Sequence, residues 1–134
     1  MTVKVVARRR EGYTHDVEIE GGHTLVLDEP VADGGANEGP SPTRTLAAAL
    51  AACTAITAEM YGNRKGWELG ALEVEVEIEY DGPTPSAFDV TLRCDADLDE
   101  EQLERLLRVA GKCPVHRLLA QQTTVKITDH VVTA

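Results

Sequence analysis

The strict alternation between Leu72 and Tyr80 constrains the fold more than any other feature of this chain. Every second residue of the segment is a glutamate, and the apolar residues between them are Leu72, Val74, Val76, Ile78 and Tyr80. Because successive side chains of a strand point to opposite faces, this pattern predicts one β-strand with a core face and a solvated face. A chain that contains such a strand must build a sheet with one buried side.

Other segments supply further strands. Turn residues at Arg10-Glu11-Gly12 and Gly21-Gly22 divide residues 1–28 into three short alternating runs, which predicts an antiparallel meander. A partner strand is expected after Gly82-Pro83-Thr84-Pro85, and a final strand over Thr123 to Thr128. The core side of the partner strand carries Phe88, Val90, Leu92 and Cys94.

The longest helix is predicted from about Pro42 or Thr43 to Tyr61, with Gly62 closing it. Its large apolar residues recur every three to four positions and alanines fill most of the remaining face. We therefore expect this helix to be buried nearly all round.

Two shorter helices are predicted further along the chain. Asp99 and Gln102 form a capping box that starts an amphipathic helix, which ends near Ala110 and is closed by Gly111. Another helix begins at Pro114. Strands, then a helix, then strands, then helices argue for a single α+β domain over residues 1–134.

Two cysteines occupy contrasting positions on these helices. Cys53 lies in the middle of the long apolar helix, where we expect a buried thiol. Cys113 precedes Pro114 and should cap the last helix, where unpaired backbone N–H groups favour a thiolate. Cys94 faces the core of its strand and is interpreted as a packing residue. The first two suggest redox chemistry if the fold brings them together.

A zinc site is the alternative for these thiols. Cys113 and His116 share one side of the last helix, and Cys53 would add a third ligand if it lay nearby. The remaining histidines are scattered along the chain, and a second closely spaced Cys/His pair is missing from the sequence. We therefore expect neither a metal nor a cofactor.

Charge and cysteine usage narrow the functional classes. The chain has 23 acidic residues against 13 Lys plus Arg and a net charge of −10, which repels the phosphate backbone of nucleic acids. The longest apolar stretch, Leu46 to Met60, is shorter than a membrane span, and the first residues lack a signal-peptide pattern. Cysteines without CxxC pairs indicate a reducing compartment. We expect a cytoplasmic protein that binds neither nucleic acid nor membrane.

Five motifs occur in order along essentially the whole chain: Gly34-Gly35, Gly39-Pro40-Ser41-Pro42, Ala51-Ala52-Cys53-Thr54, Arg64-Lys65-Gly66-Trp67 and Lys112-Cys113-Pro114-Val115-His116. Together they resemble the OsmC/Ohr family, the osmotically inducible and organic-hydroperoxide-resistance proteins, and its OsmC-like branch in particular. The resemblance implies an α+β fold with antiparallel sheets packed around a long central helix. It also implies an intertwined homodimer with active sites at the interface.

The resemblance further implies a thiol-dependent peroxidase that reduces organic hydroperoxides and is reset by a dithiol reductant. Cys53 would be the peroxidatic cysteine and Cys113 the resolving one. Arg10, in Arg10-Glu11-Gly12, would stabilise the Cys53 thiolate. The alternative is a non-enzymatic, stress-associated binding or redox-sensing dimer with the same fold.

One position departs from the family pattern. Members commonly carry a glutamate after the proline that starts the long helix, where it pairs with the arginine. Here Pro42 is followed by Thr43 and Arg44. We therefore expect Arg10 to lack an acidic partner, and Arg44 is a second candidate for the cation beside Cys53.

Overall fold

A computed structural model describes residues 1–133 and has an α+β fold with antiparallel sheets and one long helix. The predicted fold class is confirmed. In chain order the elements are β1 (Val5–Glu11), β2 (Thr14–Ile19), β3 (His23–Leu27), α1 (Pro42–Lys65), β4 (Leu72–Asp81), β5 (Thr84–Cys94), α2 (Glu100–Ala110) and α3 (Pro114–Leu119).

The chain divides into two compact units. Unit 1 consists of residues 1–48 and 78–88, and unit 2 of residues 49–77 and the chain from Asp89 onward. The boundaries fall inside α1, β4 and β5, so these elements contribute residues to both units. The expectation of a single domain stays a prediction.

Unit 1 contains the predicted meander. Its sheet has the order β1-β2-β3 with antiparallel pairing, in which Val5 lies opposite Ile19 and His15 lies opposite Leu27. The register of β1 shifts between Arg9 and Glu11, which makes Arg10 the extra residue of a β-bulge. A bulge re-aims the side chain at that position.

Asp28 holds the loop that connects β3 with α1. Its carboxylate is 2% exposed and accepts hydrogen bonds from the Thr14 hydroxyl at 2.7 Å and from the backbone N–H groups of Glu29 at 2.7 Å and Glu38 at 3.1 Å. The Thr14 hydrogen bond is the largest cause that lowers the pKa of Asp28 to about 2. Gly35 passes so close to this turn that a Cβ there would lie 2.0 Å from the Glu29 carbonyl oxygen.

Helix α1 begins as predicted but ends later. The Ser41 hydroxyl accepts a hydrogen bond from the Arg44 N–H at 3.3 Å, and Pro42 occupies the first turn. The helix continues through Gly62 to Lys65 and is followed by Gly66 with φ of 72°. Closure at Gly62 was therefore wrong. Gly62 serves packing instead, because a Cβ there would lie 2.9 Å from Cγ of the buried Leu69.

Only one face of α1 is buried within this single chain, so the chain alone does not meet the expectation of burial nearly all round. The buried side chains are Ala47, Leu50, Thr54, Ala58 and Tyr61. Apolar residues on the rest of the surface are exposed, including Leu46, Ile56 and Met60. An 18-residue stretch of the 24-residue α1 has a mean hydropathy of 1.2, so α1 is by length and composition able to cross a membrane, a property that core helices of soluble proteins share.

Unit 2 has its own apolar core, which consists of Ala58, Tyr61, Leu69, Leu106 and Ala110. Tyr61 and Trp67 pack edge to face with ring centroids 5.5 Å apart. Cys94 packs against this core, which confirms its interpretation as a packing residue. The Asp99 and Gln102 capping box of α2 is also confirmed, with both of its hydrogen bonds formed.

Two strand predictions need correction. Thr84 and Pro85 belong to β5 and not to the turn, since a proline is tolerated at an edge position of a two-stranded sheet. Within residues 1–133, the 123–128 segment forms no strand, and Ile127 is 80% exposed. The alternating pattern is present, but a strand also needs a neighbour to accept and donate its backbone hydrogen bonds.

Candidate active site

The fold brings Cys53 and Cys113 together within unit 2. Cys53 lies on α1, and its thiol is close enough to Cys113 for that residue to raise its pKa. Val115, at the start of α3, and Thr57, one turn after Cys53 on α1, are neighbours that lower the pKa of the Cys53 thiol. Two thiols that are 60 residues apart in the sequence therefore form one paired-thiol site.

Cys113 caps α3 as predicted. Its backbone is extended (φ −63°, ψ 153°), Pro114 opens the helix, and the sulfur accepts a hydrogen bond from the His116 N–H at 3.4 Å. The expected contrast in burial is reversed, however. Cys113 is 0% exposed, whereas Cys53 is only partly buried. The reason is that Cys53 lies near the edge of the buried face of α1, while Cys113 packs directly beneath Thr54 of that face.

Burial raises the pKa of the Cys53 thiol above its ordinary value. The Val115 N–H lowers this pKa by hydrogen bonding, the neighbouring Cys113 raises it, and the Thr57 hydroxyl lowers it. Among the described residues, the groups that shift this pKa include no cation. The raised pKa favours the neutral thiol of Cys53, and a positive charge beside the sulfur would act in the opposite direction.

Thr54 is a site residue that the sequence interpretation missed. Its hydroxyl donates to the Leu50 carbonyl oxygen at 2.8 Å and lies 3.8 Å from the Cys113 sulfur. Thr54 is 1% exposed. The signal available in the sequence was a hydroxyl directly after Cys53, in register with the buried positions Leu50 and Ala58 of the same helix.

Arg10 lies in unit 1 and has an acidic partner, contrary to expectation. Its guanidinium donates hydrogen bonds to both carboxylate oxygens of Asp16, and this donation to Asp16 raises the pKa of Arg10. The register places Arg8 opposite Asp16, and Arg10 is the extra residue of the bulge that follows. Asp16 was missed because the register of β1 against β2 cannot be read from the alternation of short strands.

Thr43 and Arg44 stand where the family pattern differs. The Thr43 hydroxyl is hydrogen bonded to the Tyr80 hydroxyl at 2.9 Å, so a neutral contact occupies the position after Pro42. Arg44 lines an open cavity of about 580 Å³ in unit 1, together with Thr43, Tyr80, Glu29 and Asp33. Arg44 is exposed there.

The zinc alternative finds little geometric support. His116 Nδ1 is buried without a hydrogen-bond partner among the described residues. Over residues 1–133, however, His, Cys, Asp and Glu side chains form no group of three or more that is arranged to hold a metal ion. Tetrahedral zinc sites need three or four protein ligands.

Fold and site together define an α+β protein with two helix-borne thiols in contact, one at the middle of a long helix and one at the cap of a short helix. Residues 34–128 match the family described as OsmC-like protein, which is more than half of the chain. The chain belongs to the OsmC-like protein family.

Solved structures of related proteins share this fold. An OsmC-like protein from Mycoplasma pneumoniae is 18% identical with a TM-score of 0.78, and the match covers 90% of this chain and 88% of that one. The organic hydroperoxide resistance protein OsmC from Legionella pneumophila is 22% identical with a TM-score of 0.66, over 89% of each chain. The organic hydroperoxide resistance protein OhrB of Bacillus subtilis is 25% identical with a TM-score of 0.58, over 88% of this chain and 90% of that one. A search of curated proteins found no significant match.

Proposed function

We propose that this protein is a thiol-dependent peroxidase that reduces organic hydroperoxides through Cys53 and Cys113. The observation that carries the proposal is the contact between the two thiols, one partly accessible and one fully buried. Two of the similar structures bear the name organic hydroperoxide resistance protein, which supports this choice of substrate.

The proposed reaction has three balanced steps. The Cys53 thiolate attacks the terminal peroxide oxygen, the O–O bond breaks, and the alkoxide takes a proton and leaves as an alcohol. The resulting Cys53 sulfenic acid condenses with the Cys113 thiol to form a disulfide and water. A dithiol then reduces the disulfide and is itself oxidised to a disulfide.

Arg10 is proposed to supply the missing positive charge. A buried thiol needs a cation to ionise at neutral pH, and a guanidinium remains charged when desolvated. The ion pair with Asp16 does not prevent this role, because the Arg10 and Asp16 side chains are both exposed and such pairs contribute little net free energy. Arg44 is the second candidate.

A homodimer is proposed as the functional form. The exposed apolar face of α1 and the exposed apolar residues after α3 are surfaces that a monomer would leave in water. A second copy of the chain would cover them, as the family resemblance implies. An aliphatic interface near Cys53 would favour fatty or aryl hydroperoxides over hydrogen peroxide. Free thiols persist in a reducing compartment, so we extend the proposal to the cytoplasm.

The raised pKa of Cys53 favours a second candidate. If no cation lies beside Cys53, its thiol stays neutral at neutral pH and the protein reduces peroxides slowly. The protein would then act as a stress-associated binding or redox-sensing dimer with the same fold.

A steady-state assay with cumene hydroperoxide and a dithiol separates the two candidates. The peroxidase proposal predicts turnover that Cys53→Ser abolishes and that Cys94→Ser, a packing-site control, retains. Hydrogen peroxide should be a poorer substrate. Turnover no faster than the uncatalysed reaction, with correctly folded protein, would favour the binding or sensing dimer.

A further inference from the structure

We propose that Thr54 assists disulfide closure by rotating its hydroxyl away from the Leu50 carbonyl oxygen, so that it donates a hydrogen bond to the sulfur of Cys113. This inference rests on the proposed function, because it assigns a role within the reaction between Cys53 and Cys113. It adds to that reaction a residue that neither attacks the peroxide nor enters the disulfide.

The hydrogen positions follow from the heavy-atom distances. The Thr54 hydroxyl has one proton, and the 2.8 Å distance to the Leu50 carbonyl oxygen shows where that proton points. Toward the Cys113 sulfur, 3.8 Å away, the same oxygen can only accept. In the reduced protein the Cys113 S–H therefore donates to Thr54, while the His116 N–H donates to the sulfur at 3.4 Å.

This arrangement suits the thiol but not the attacking thiolate. Cys113 is 0% exposed, so water cannot solvate a negative charge on its sulfur. The His116 N–H is one donor, and a second is needed as the S–H proton leaves. Rotation of the Thr54 hydroxyl supplies that donor. The Leu50 carbonyl loses little, because it keeps the backbone hydrogen bond of the helix.

The proton balance requires no further reactant. The Cys113 electron pair forms the S–S bond, the S–O bond of the Cys53 sulfenic acid breaks, and the departing hydroxide takes the Cys113 proton to become water. Thr54 begins and ends with one proton. It acts as a hydrogen-bond donor to the attacking sulfur and not as a base.

The alternative is that the Thr54 hydroxyl has a structural role only. Threonines in helices often donate to the carbonyl four residues earlier, and the contact with sulfur would then be packing only. Thr54→Val keeps the shape and removes the hydroxyl, whereas Thr54→Ser keeps the hydroxyl and removes the methyl group. A role of the hydroxyl in closure predicts that Thr54→Val slows closure and Thr54→Ser does not. Packing alone predicts no such difference between the two variants.

The test uses a closure reaction that needs no peroxide. In a Cys94→Ser background, the accessible Cys53 is loaded with an aryl thiol as a mixed disulfide, and Cys113 then displaces the aryl thiolate, whose absorbance is followed. Thr54→Val should slow this release about tenfold at neutral pH and shift its pH profile to higher pH, as expected for a lost hydrogen bond to a charged sulfur. Thr54→Ser should release the aryl thiolate at close to the unsubstituted rate. Cys113→Ser should retain it.

Failure of this inference is distinguishable from failure of the proposed function. Release at the unsubstituted rate in Thr54→Val, or equal slowing in Thr54→Ser, overturns the role of the hydroxyl even if peroxide turnover is normal. Slowing without a change in the pH profile also overturns it. If Thr54→Val does not fold, Thr54→Ala replaces it as the hydroxyl-free variant. If the aryl thiolate is released at the predicted rates but the protein does not turn over peroxide, the peroxidase proposal is refuted and the role of Thr54 in closure is not.

Discussion

The guanidinium of Arg10 binds both carboxylate oxygens of Asp16, with Nε 3.2 Å from Oδ2. The hydrogen bond lowers the pKa of Asp16 and raises that of Arg10, so the pair is ionised at neutral pH. Asp16 is thus an acidic partner of Arg10, whereas the sequence has no acid directly after Pro42. A guanidinium stays charged when desolvated, and this is the cation that the proposed mechanism assigns to the Cys53 thiolate.

Replacement of Arg10 tests this role. Arg10→Ala should raise the Cys53 pKa and slow Cys53 oxidation by about tenfold or more at neutral pH, because one pKa unit changes the thiolate fraction tenfold. The measurement is the pH dependence of Cys53 alkylation with Cys94 and Cys113 replaced by serine. Arg8→Ala is the matched control, since Arg8 lies on the same strand and pairs with Glu18 at 2.8 Å.

Arg44→Ala separates the two candidate cations in the same assay. We expect a smaller effect than that of Arg10→Ala, because Arg44 is exposed beside a cavity in unit 1 and its neighbours there include Glu29 and Asp33. An effect of Arg44→Ala as large as that of Arg10→Ala would transfer the role to Arg44. No effect of either change would refute activation by arginine.

The buried carboxylate of Asp28 makes stability depend on acid pH. Its pKa of about 2 lies below the ordinary value of about 3.9, so its contribution is fully present above pH ~4 and is lost as the pH falls through about 2. Asp28→Asn should lower the Tm at neutral pH by roughly 5 °C or more and flatten the stability profile between those pH values. Asp33→Asn, an exposed residue of the same loop, should leave both unchanged. Equal Tm values for Asp28→Asn and the unsubstituted protein would contradict the role of this carboxylate.

The close packing of Gly62 against Leu69 disfavours a larger residue at this position. Alanine normally stabilises a helix interior by about 1 kcal/mol relative to glycine. Here the added Cβ would lie 2.9 Å from Leu69 Cγ, and overpacking of this kind costs about 1–3 kcal/mol. Gly62→Ala should therefore lower the free energy of unfolding in urea, whereas Asn63→Ala, at an exposed neighbouring position, should raise it slightly. A higher free energy of unfolding for Gly62→Ala would contradict this prediction and show that the Leu69 side chain moves to make room for the added Cβ.

The exposed face of α1 should form a dimer interface. Ile56 is 55% exposed, and Ile56→Glu would place a charge in an apolar contact. We expect the dissociation constant of the dimer to rise about a hundredfold or more in sedimentation measurements. Glu104→Lys, an exposed charge change on α2, should have no such effect. A stable folded monomer of the unsubstituted protein at micromolar concentration would refute the dimer.

The features that sequence predicted well are local ones. Alternation located β4, the capping box located the start of α2, and Cys113 followed by Pro114 located the cap of α3. Each depends on residues within a few positions of one another, so the chain itself carries the information.

The features that sequence missed depend on contacts between different elements of the fold. Gly62 resembled a helix end because its packing partner Leu69 lies beyond the helix. Asp16 was missed because its contact with Arg10 depends on how β1 and β2 pair, and Thr54 because its sulfur partner is 59 residues away. Patterns of period and capping contain none of this information.

The most direct test of the central claim is a map of the disulfide that forms after one equivalent of organic hydroperoxide is added to the reduced protein. Peptide mass spectrometry should find Cys53 joined to Cys113, with Cys94 still reduced in its packed position. Cys113→Ser should instead leave a Cys53 sulfenic acid that a trapping reagent captures. A bridge that contains Cys94, or no bridge at all, would contradict the paired-thiol mechanism.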